Sequence, residues 1–166
     1  MSGFANFLVA TKKDAKAIAR LANDRISITA GLRTDGNNYL LTGRQLGKQL
    51  SPRVSATVTL ADKWNANLSV ARYYKVPSYT ILGFRENNVA VNKDVLPIRS
   101  DHYVAGLEWQ PTGTIRVTAE GFYKRYTDYP ISVARGVSLA NFGGDFGVYG
   151  NEKVSSTGKG KAYGFE

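Results

Sequence analysis

Hydrophobic and polar residues alternate with a period of two along several stretches of the chain. The most regular stretch covers residues 53–60, where apolar and polar side chains exchange at every position. Side chains of a β-strand point alternately to opposite faces of a sheet, so this period predicts strands with one apolar and one polar face. The pattern recurs over residues 25–33, 64–74, 101–109 and 115–126, and a final strand is predicted to begin near Gly160.

The beginning of the chain has a less regular pattern. Residues 3–11 alternate weakly, and we predict a strand there. In residues 14–22 the apolar residues recur at helical spacing, and Asp14 occupies a position suited to an N-cap. A short helical turn is therefore predicted for this segment.

Two hairpins follow from the pattern. In the first, a minimal turn at residues 61–63 joins two strands and places Val54 opposite Val70. In the second, residues 110–114 form the turn, and an opposite-charge pair is expected on the polar face. The pairs predicted for the second hairpin are Trp109 with Ile115, Glu108 with Arg116, and Tyr103 with Gly121.

The predicted connections alternate in length. They are short after residues 60 and 109, and long after residues 33, 74 and 126. An up-and-down meander with short turns at one end and long loops at the other is typical of an outer-membrane β-barrel. A ten-residue strand tilted by about 45° rises roughly 23 Å, close to the apolar band of such barrels. A soluble antiparallel sandwich or calyx that binds a small apolar ligand is the alternative, because it shows the same alternation.

Composition favours an all-β protein without catalytic chemistry. The 166 residues include 10 Tyr, 17 Gly and no cysteine, and 22 basic against 13 acidic residues give a net charge of +9. His102 is the only histidine, which leaves no set of ligands for a metal. Glu108 and Glu120 share a face, but their predicted neighbours Arg116 and Lys124 favour a charge-balanced wall over paired catalytic carboxylates. We expect no enzyme activity, no cofactor and no nucleic-acid partner.

Several stretches resemble the barrel of TonB-dependent outer-membrane receptors, and their order and spacing are more specific than any one of them. The stretches include Gly106-Leu-Glu-Trp109 and Gly121-Phe-Tyr-Lys124, together with residues 50–53, 71–74, 99–103, 143–152 and 156–166. The resemblance covers the chain from about residue 24. It implies a 22-stranded transmembrane barrel with a plugged lumen, of which residues 1–166 would hold about seven strands. The plug domain and the terminal strand are expected to lie outside this incomplete barrel domain.

The resemblance also implies a function. Receptors of this family sit in the Gram-negative outer membrane and take up a scarce nutrient, such as a siderophore, cobalamin or a glycan, with energy delivered by the TonB system. The implied partners are outer-membrane lipid, the plug and remaining strands of the parent chain, the TonB system and a small-molecule or glycan ligand.

Three sets of residues follow from the barrel interpretation. We expect the polar face to line the lumen, through Arg53, Asn67, Glu108, Arg116, Glu120 and Lys124. Aromatic residues of the apolar face are expected to form the interfacial girdle, through Trp64, Tyr103, Trp109 and Tyr123. Residues in the long connections are candidates for extracellular ligand contacts, namely Tyr79, Phe84, Arg85, Tyr129, Arg135, Phe146 and Tyr149.

Overall fold

The computed structural model describes residues 10–142 and 151–166 and consists mainly of one antiparallel sheet. In these residues the sheet has seven strands, in the order in which they occur along the chain. The strands of the sheet are β1 (Ala10–Leu21), β2 (Ile26–Asn37), β3 (Leu50–Ala61), β4 (Trp64–Lys75), β7 (Ile98–Thr112), β8 (Ile115–Ser132) and β9 (Val154–Phe165). The predicted all-β meander is confirmed.

The long connections contain short elements of their own. Helix α1 (Tyr79–Gly83) and the two-residue strands β5 (Arg85–Glu86) and β6 (Val89–Ala90) lie between β4 and β7. Short 3-10 helices occupy Leu46–Gln49 and Leu139–Phe142. These elements help to give the loops a defined path instead of an extended one.

The first predicted hairpin is confirmed, except that its turn covers residues 62–63 and not 61–63. Val54 pairs with Val70 across β3 and β4, and a bulge near residue 60 brings Ala61 opposite Trp64. The turn consists of Asp62 and Lys63, and Lys63 has a positive φ of 72°. A residue of positive φ at the end of a turn is common in hairpins that carry a bulge.

The second hairpin has the predicted faces but a different register. Trp109 pairs with Val117, and Tyr103 pairs with Tyr123. The prediction that Trp109 faces Ile115 and that Tyr103 faces Gly121 is therefore wrong by two residues. The cause is that β7 continues to Thr112, where a bulge precedes a tight turn and Ile115 pairs with Thr112 instead. A shift of two residues leaves every side chain on its predicted face.

Strand β1 replaces the predicted helical turn at residues 14–22. It pairs with β2 without interruption, from Ala10 with Asn37 to Leu21 with Ile26. Residues Ala15, Ala17 and Ala19 also recur with a period of two, which the helical interpretation overlooked. The helix preference of alanine is less than about 1 kcal/mol per residue, and pairing with a neighbouring strand overrides it. Of the strand predicted at residues 3–11, only residues 10 and 11 are described, and they belong to β1.

The strands extend further toward the long connections than predicted. Strand β2 continues to Asn37, and β8 continues to Ser132, so the third long connection covers only residues 133–153. The alternation of short and long connections is nevertheless confirmed. The short turns follow β1, β3 and β7, and the long connections cover residues 38–49, 76–97 and 133–153.

The two faces of the sheet differ in chemistry, and the apolar face is not buried. We call the face that carries Val54, Val70 and Tyr103 the apolar face, and the opposite one the polar face. Val70 is 52% exposed and Leu107 is 48% exposed. In a soluble sandwich or calyx these side chains would be covered by a second layer, and in the described residues no such layer covers them. The buried hydrophobic cluster lies in the long connections instead.

Candidate functional site: the polar face and the loop cap

A hydrogen-bonded network crosses the polar face near the short turns. Thr59 donates to Asn65 over 3.0 Å, and Asn65 donates to Glu108 over 3.4 Å. The Arg116 Nε atom donates to the Glu108 carboxylate at 2.8 Å, and its Nη2 atom forms an ion pair with the same oxygen. The network therefore joins β3, β4, β7 and β8 through side chains. The predicted ion pair between Glu108 and Arg116 is present, but the residue directly opposite Glu108 is Thr118 and not Arg116.

The other residues that were predicted to line the lumen make separate contacts. Asn67 accepts a hydrogen bond from Thr57 at 2.9 Å. Lys124 was predicted to lie beside Glu120. It forms no ion pair with Glu120, and its Nζ atom lies 4.5 Å from the centre of the Phe122 ring instead. Among the described residues no ion pair of Glu120 is found.

Arg53 belongs to an aromatic and cationic group closer to the long connections. Its guanidinium carbon lies 5.0 Å from the centre of the Tyr73 ring. That ring in turn lies 4.7 Å from His102, which shares a 2.7 Å hydrogen bond with Ser100. The single histidine is thus held as a polar strand residue, and within residues 10–142 and 151–166 no cluster of acidic, histidine or cysteine residues could hold a metal ion.

The three long connections pack together over one end of the sheet. We call this packed region, formed by residues 38–49 and 76–97 and the described part of 133–153, the loop cap. Its buried cluster also includes the first residue of β9. The cluster consists of Leu40, Ile81, Leu82, Val95 and Val154, with Tyr39, Val76 and Leu139 packed against it.

Asn92 links two of the connections inside the loop cap. Its side chain is fully buried, and its Nδ2 atom donates to the carbonyl oxygens of Ile81 at 2.7 Å and Glu152 at 2.9 Å. Its Oδ1 atom accepts from the Val154 N–H at 3.0 Å. Tyr39 ties the first long connection, residues 38–49, to the second: its hydroxyl donates to the Leu82 carbonyl oxygen at 2.8 Å.

Glu152 fixes the third connection to the end of β8. Its carboxylate accepts hydrogen bonds from the Ser132 hydroxyl and from the Arg135 guanidinium. The Glu152 side chain is only 14% exposed. The hydrogen bonds from Arg135 and then from Ser132 lower the pKa of Glu152 below its usual value, because they stabilise the charged carboxylate more than burial destabilises it.

The residues predicted to contact a ligand lie in different environments. Tyr79 is 65% exposed at the start of α1, Phe84 is half-buried, and Arg85 is exposed beside the turn between β5 and β6. Arg135 is held by Glu152. Phe146 and Tyr149 lie outside the described residues.

Tyr129 corrects the predicted boundary of the third loop. It belongs to β8, pairs with Gly158 of β9 and is half-buried. A Cβ atom on Gly158 would come within 2.5 Å of the Tyr129 carbonyl oxygen, so the close approach of the two strands there requires glycine. The long connection therefore begins after Ser132 and not at residue 127.

Sequence reasoning missed Asn92 and Glu152, which organise the loop cap. A signal was present, because Val89, Val91 and Val95 lie close to Asn92 within a long connection. Apolar residues in a long loop indicate that the loop packs on itself or on a neighbour. Nothing in the sequence indicated which buried polar group would join two connections.

Comparison with known proteins agrees with this geometry. Residues 15–166 match the family described as TonB dependent receptor-like, beta-barrel. The chain belongs to the TonB-dependent receptor β-barrel family. Receptors of this family reside in the Gram-negative outer membrane, and this barrel segment does so as well.

A solved receptor structure shares the fold of this barrel segment. It is the FrpB iron transporter from Neisseria meningitidis (F3-3 variant), which superposes with a TM-score of 0.62 at 15% sequence identity. The match covers 95% of this chain and 22% of the FrpB chain, so the segment spans about a fifth of that transporter. No curated protein sequence matches the chain. No helix among the described residues is long and apolar enough to cross a membrane.

Proposed function

We propose that this chain forms part of the wall and extracellular cap of a receptor that takes up a scarce nutrient with energy from the TonB system. The observation that carries the proposal is the location of all three long connections at one end of a two-faced sheet of this family. In outer-membrane barrels the long connections are extracellular and the short turns are periplasmic. The loop cap would then meet the nutrient first.

The apolar face is proposed to contact lipid. The rings of Trp64 and Trp109 stack with centroids 5.8 Å apart near the short turns, and Tyr103 lies 6.3 Å from Tyr123 toward the loop cap. Aromatic side chains at both ends of an apolar band are typical of the membrane interfaces. These four residues are our candidates for the girdle.

The polar face is proposed to line the lumen. A solvated lumen accommodates charged side chains that a packed protein interior would exclude. The residues assigned to this wall are Arg53, Asn67, Glu108, Arg116, Glu120 and Lys124. Neither a catalytic role nor a bound cofactor is proposed for any of them.

The nutrient class proposed is a siderophore, cobalamin or a glycan. FrpB is an iron transporter, which makes an iron-carrying ligand the first class to test. The exposed Tyr79 and Arg85 and the half-buried Phe84 are the described candidates for contact, and Tyr129 and Arg135 lie at the base of the third connection. Phe146 and Tyr149 remain predictions for the same connection.

The partners proposed include the rest of a barrel and a plug. In the described sheet β1 and β9 are the outer strands, and each has one edge without a neighbouring strand. Lipid cannot satisfy the backbone groups of a free edge, so further strands of the receptor would have to pair with them. The TonB system would act on the receptor through parts outside this segment.

The topology can be tested by cysteine labelling of the full receptor in intact cells, since this segment contains no cysteine. With an Asn87→Cys variant, a membrane-impermeant maleimide should label the cells from outside, because Asn87 lies exposed at the turn between β5 and β6. An Asp62→Cys variant should be labelled only after the outer membrane is permeabilised. The opposite result would invert the topology and overturn the proposal.

Uptake can be tested in the same cells. Removal of the receptor or of TonB should abolish uptake of one labelled nutrient from a panel of iron-siderophore, cobalamin and glycan ligands. A Tyr79→Ala, Arg85→Ala variant should weaken its binding, whereas Asp62→Ala at the short-turn end serves as the control. Uptake that persists without TonB would contradict the proposed mechanism.

A further inference from the structure

A concavity lies in the polar face of strands β1–β4, toward the loop-cap end of the sheet. Its volume is about 500 Å³, which is in the range of small-molecule binding sites. It opens on the side that is proposed to be the lumen. The charged residues that line it are Lys12, Asp14, Lys16, Arg33 and Arg53, and its hydroxyl-bearing residues are Thr29, Ser55 and Ser69. The lining therefore carries four basic side chains against one carboxylate.

Two of these basic side chains are already neutralised by neighbouring carboxylates. Arg33 forms an ion pair with Asp35, in which its Nε atom lies 2.7 Å from the Oδ2 atom. The Lys12 Nζ atom lies 3.9 Å from the Oδ2 atom of Asp14. The only carboxylate of the lining is thus shared with a lysine, and the positive charge of two further side chains is not compensated.

These two uncompensated side chains are Lys16 and Arg53. Neither makes an ion pair within the described residues. Arg53 is oriented by an aromatic ring instead, because its guanidinium carbon lies 5.0 Å from the centre of the Tyr73 ring. Its Nε atom is buried and has no hydrogen-bond partner. The guanidinium group of Arg53 therefore has donors left for an external anion.

Gly31 leaves the space between the two cations open. It pairs with Lys16 on one side and with Arg53 on the other, so the cations flank it from strands that are about 10 Å apart. The nearest atom to a Cβ on Gly31 would be the Ala15 carbonyl oxygen at 3.6 Å, which is an ordinary contact, and the φ of Gly31 is not positive. The backbone therefore does not require glycine here, and the missing side chain leaves room for a ligand.

A row of hydroxyl groups borders the same space. Thr29, Ser55 and Ser69 pair with one another across β2, β3 and β4, two residues from the row of Gly31. Within the described part of the chain, none of these three side chains makes a hydrogen bond. Together with the ammonium and guanidinium groups, they offer hydrogen-bond donors to charged oxygen atoms, which form stronger hydrogen bonds than neutral ones do.

We propose that this concavity binds an anionic, oxygen-rich iron chelate, whose carboxylate or catecholate oxygens are held by Lys16, Arg53 and the hydroxyl row. Charge complementarity selects an anion, because the lining offers two uncompensated cations and its single carboxylate is paired. Among the nutrient classes proposed above, this favours an iron(III) complex of carboxylates or catecholates over a neutral glycan. The inference rests on the proposed function and narrows its ligand.

The test measures the dissociation constants of radioactive iron complexes on intact cells that carry the full receptor and lack both TonB and other iron receptors. Without TonB a ligand binds but is not taken up. Iron(III) citrate and an iron(III) tricatecholate are the anionic probes, and a neutral iron(III) trihydroxamate is the comparison. At least one anionic complex should bind more than about tenfold more tightly than the neutral one, since one hydrogen bond to a charged group contributes about that factor. Equally tight binding of the neutral complex, or binding of neither anionic complex, would overturn the proposal.

Charge-removing variants locate the binding on this wall. A Lys16→Gln, Arg53→Gln variant should bind the anionic complex about a hundredfold more weakly, about tenfold for each cation. The matched control is Arg20→Gln, Lys63→Gln, which removes one arginine and one lysine closer to the short turns. Equal weakening in the two variants, or none in the first, contradicts the proposal. If the first variant lowers the urea midpoint of the receptor and leaves the affinity unchanged, the two cations hold a carboxylate of the parent chain instead, and the proposal fails.

The open space above Gly31 is tested separately. Gly31→Leu should weaken binding about tenfold by filling the concavity, whereas Ser27→Leu, on the same strand and face, should leave it unchanged. A Gly31→Leu receptor that binds like the unaltered one would show that the ligand does not enter. Heat-modifiable mobility on gels confirms that each variant is folded. TonB-dependent uptake of a neutral nutrient alone would refute this inference and leave the proposed function intact, whereas uptake without TonB would refute that function.

Discussion

Asn92 shows how one buried polar residue can join two loops. Its amide satisfies two carbonyl oxygens and one N–H from different connections, and none of its surface is exposed. A buried polar group with every partner in place favours one loop arrangement, because any other arrangement leaves these groups without hydrogen bonds. Glu152 has a similar role at the edge of the loop cap through Ser132 and Arg135.

Replacing Asn92 by alanine should loosen the loop cap without unfolding the sheet. The change removes three buried hydrogen bonds, although the Ile81 carbonyl oxygen keeps the one from the Phe84 N–H, and we expect it to cost about 3 kcal/mol of local stability. Hydrogen exchange measured by mass spectrometry should then be faster in residues 76–97 and in the start of β9. An Asn151→Ala variant is the control, since Asn151 is exposed. Unchanged exchange in both variants would show that Asn92 does not hold the cap.

The loop cap should also respond to acid through Glu152. The pKa of Glu152 is lowered in the folded cap, so its contribution to stability is present above the usual glutamate pKa of 4.5 and is lost as the pH falls through the lowered value. After correction for the intrinsic pH dependence of amide exchange, the protection of residues 133–142 and 151–153 should therefore decrease below about pH 4. In a Glu152→Gln variant the acid-dependent part should be smaller, and exchange should already be faster at pH 7. An identical acid response in the variant would assign the effect to other groups.

At the scale of elements, the two-residue period was a reliable guide to faces but not to ends. It placed Val54 opposite Val70 and put Trp109 on the correct face, because face depends only on whether a position is odd or even. Strand length and register depend on bulges and on partners distant in sequence. The alternation therefore failed to predict the bulge near residue 110 and the extension of β8 to Ser132.

The assignment of faces predicts opposite results for two neighbouring substitutions. Leu68→Arg places a charge on the face proposed to contact lipid and should destabilise the barrel by about 3 kcal/mol. Ser69→Arg places the same charge on the polar face and should change stability by less than about 1 kcal/mol. The measurement is the urea midpoint of unfolding of the receptor in lipid vesicles. Equal destabilisation by the two variants would contradict the assignment.

At the scale of the whole molecule, the sheet has an extended apolar surface, and none of the described residues forms a core beneath it. Most of the buried apolar residues in the described part of the chain belong to the cluster of the loop cap, while strand residues such as Leu68 and Val70 are about half exposed. This distribution is the inverse of a soluble domain and suits a wall between lipid and a solvated lumen.

The segment of residues 1–166 expressed alone should therefore not behave as a soluble domain. In detergent-free buffer we expect it to aggregate, because its exposed apolar face and its free strand edges both favour association. Circular dichroism and light scattering in buffer and in detergent would test this. A monomer that unfolds cooperatively in buffer would favour the soluble sandwich or calyx instead.

The sequence alone determined the two faces of the sheet, the alternation of short and long connections, and the resemblance to this receptor family. These properties are local, since each is set by residue type at successive positions. The tertiary structure decided what depends on partners distant in sequence. Residues 14–21 form a strand because they pair with β2. The register of the second hairpin differs by two residues from the predicted one, and Asn92 is buried between two connections. The tertiary structure also placed Lys16 and Arg53 on either side of Gly31, a juxtaposition set by the register of β1, β2 and β3 that no local pattern contains.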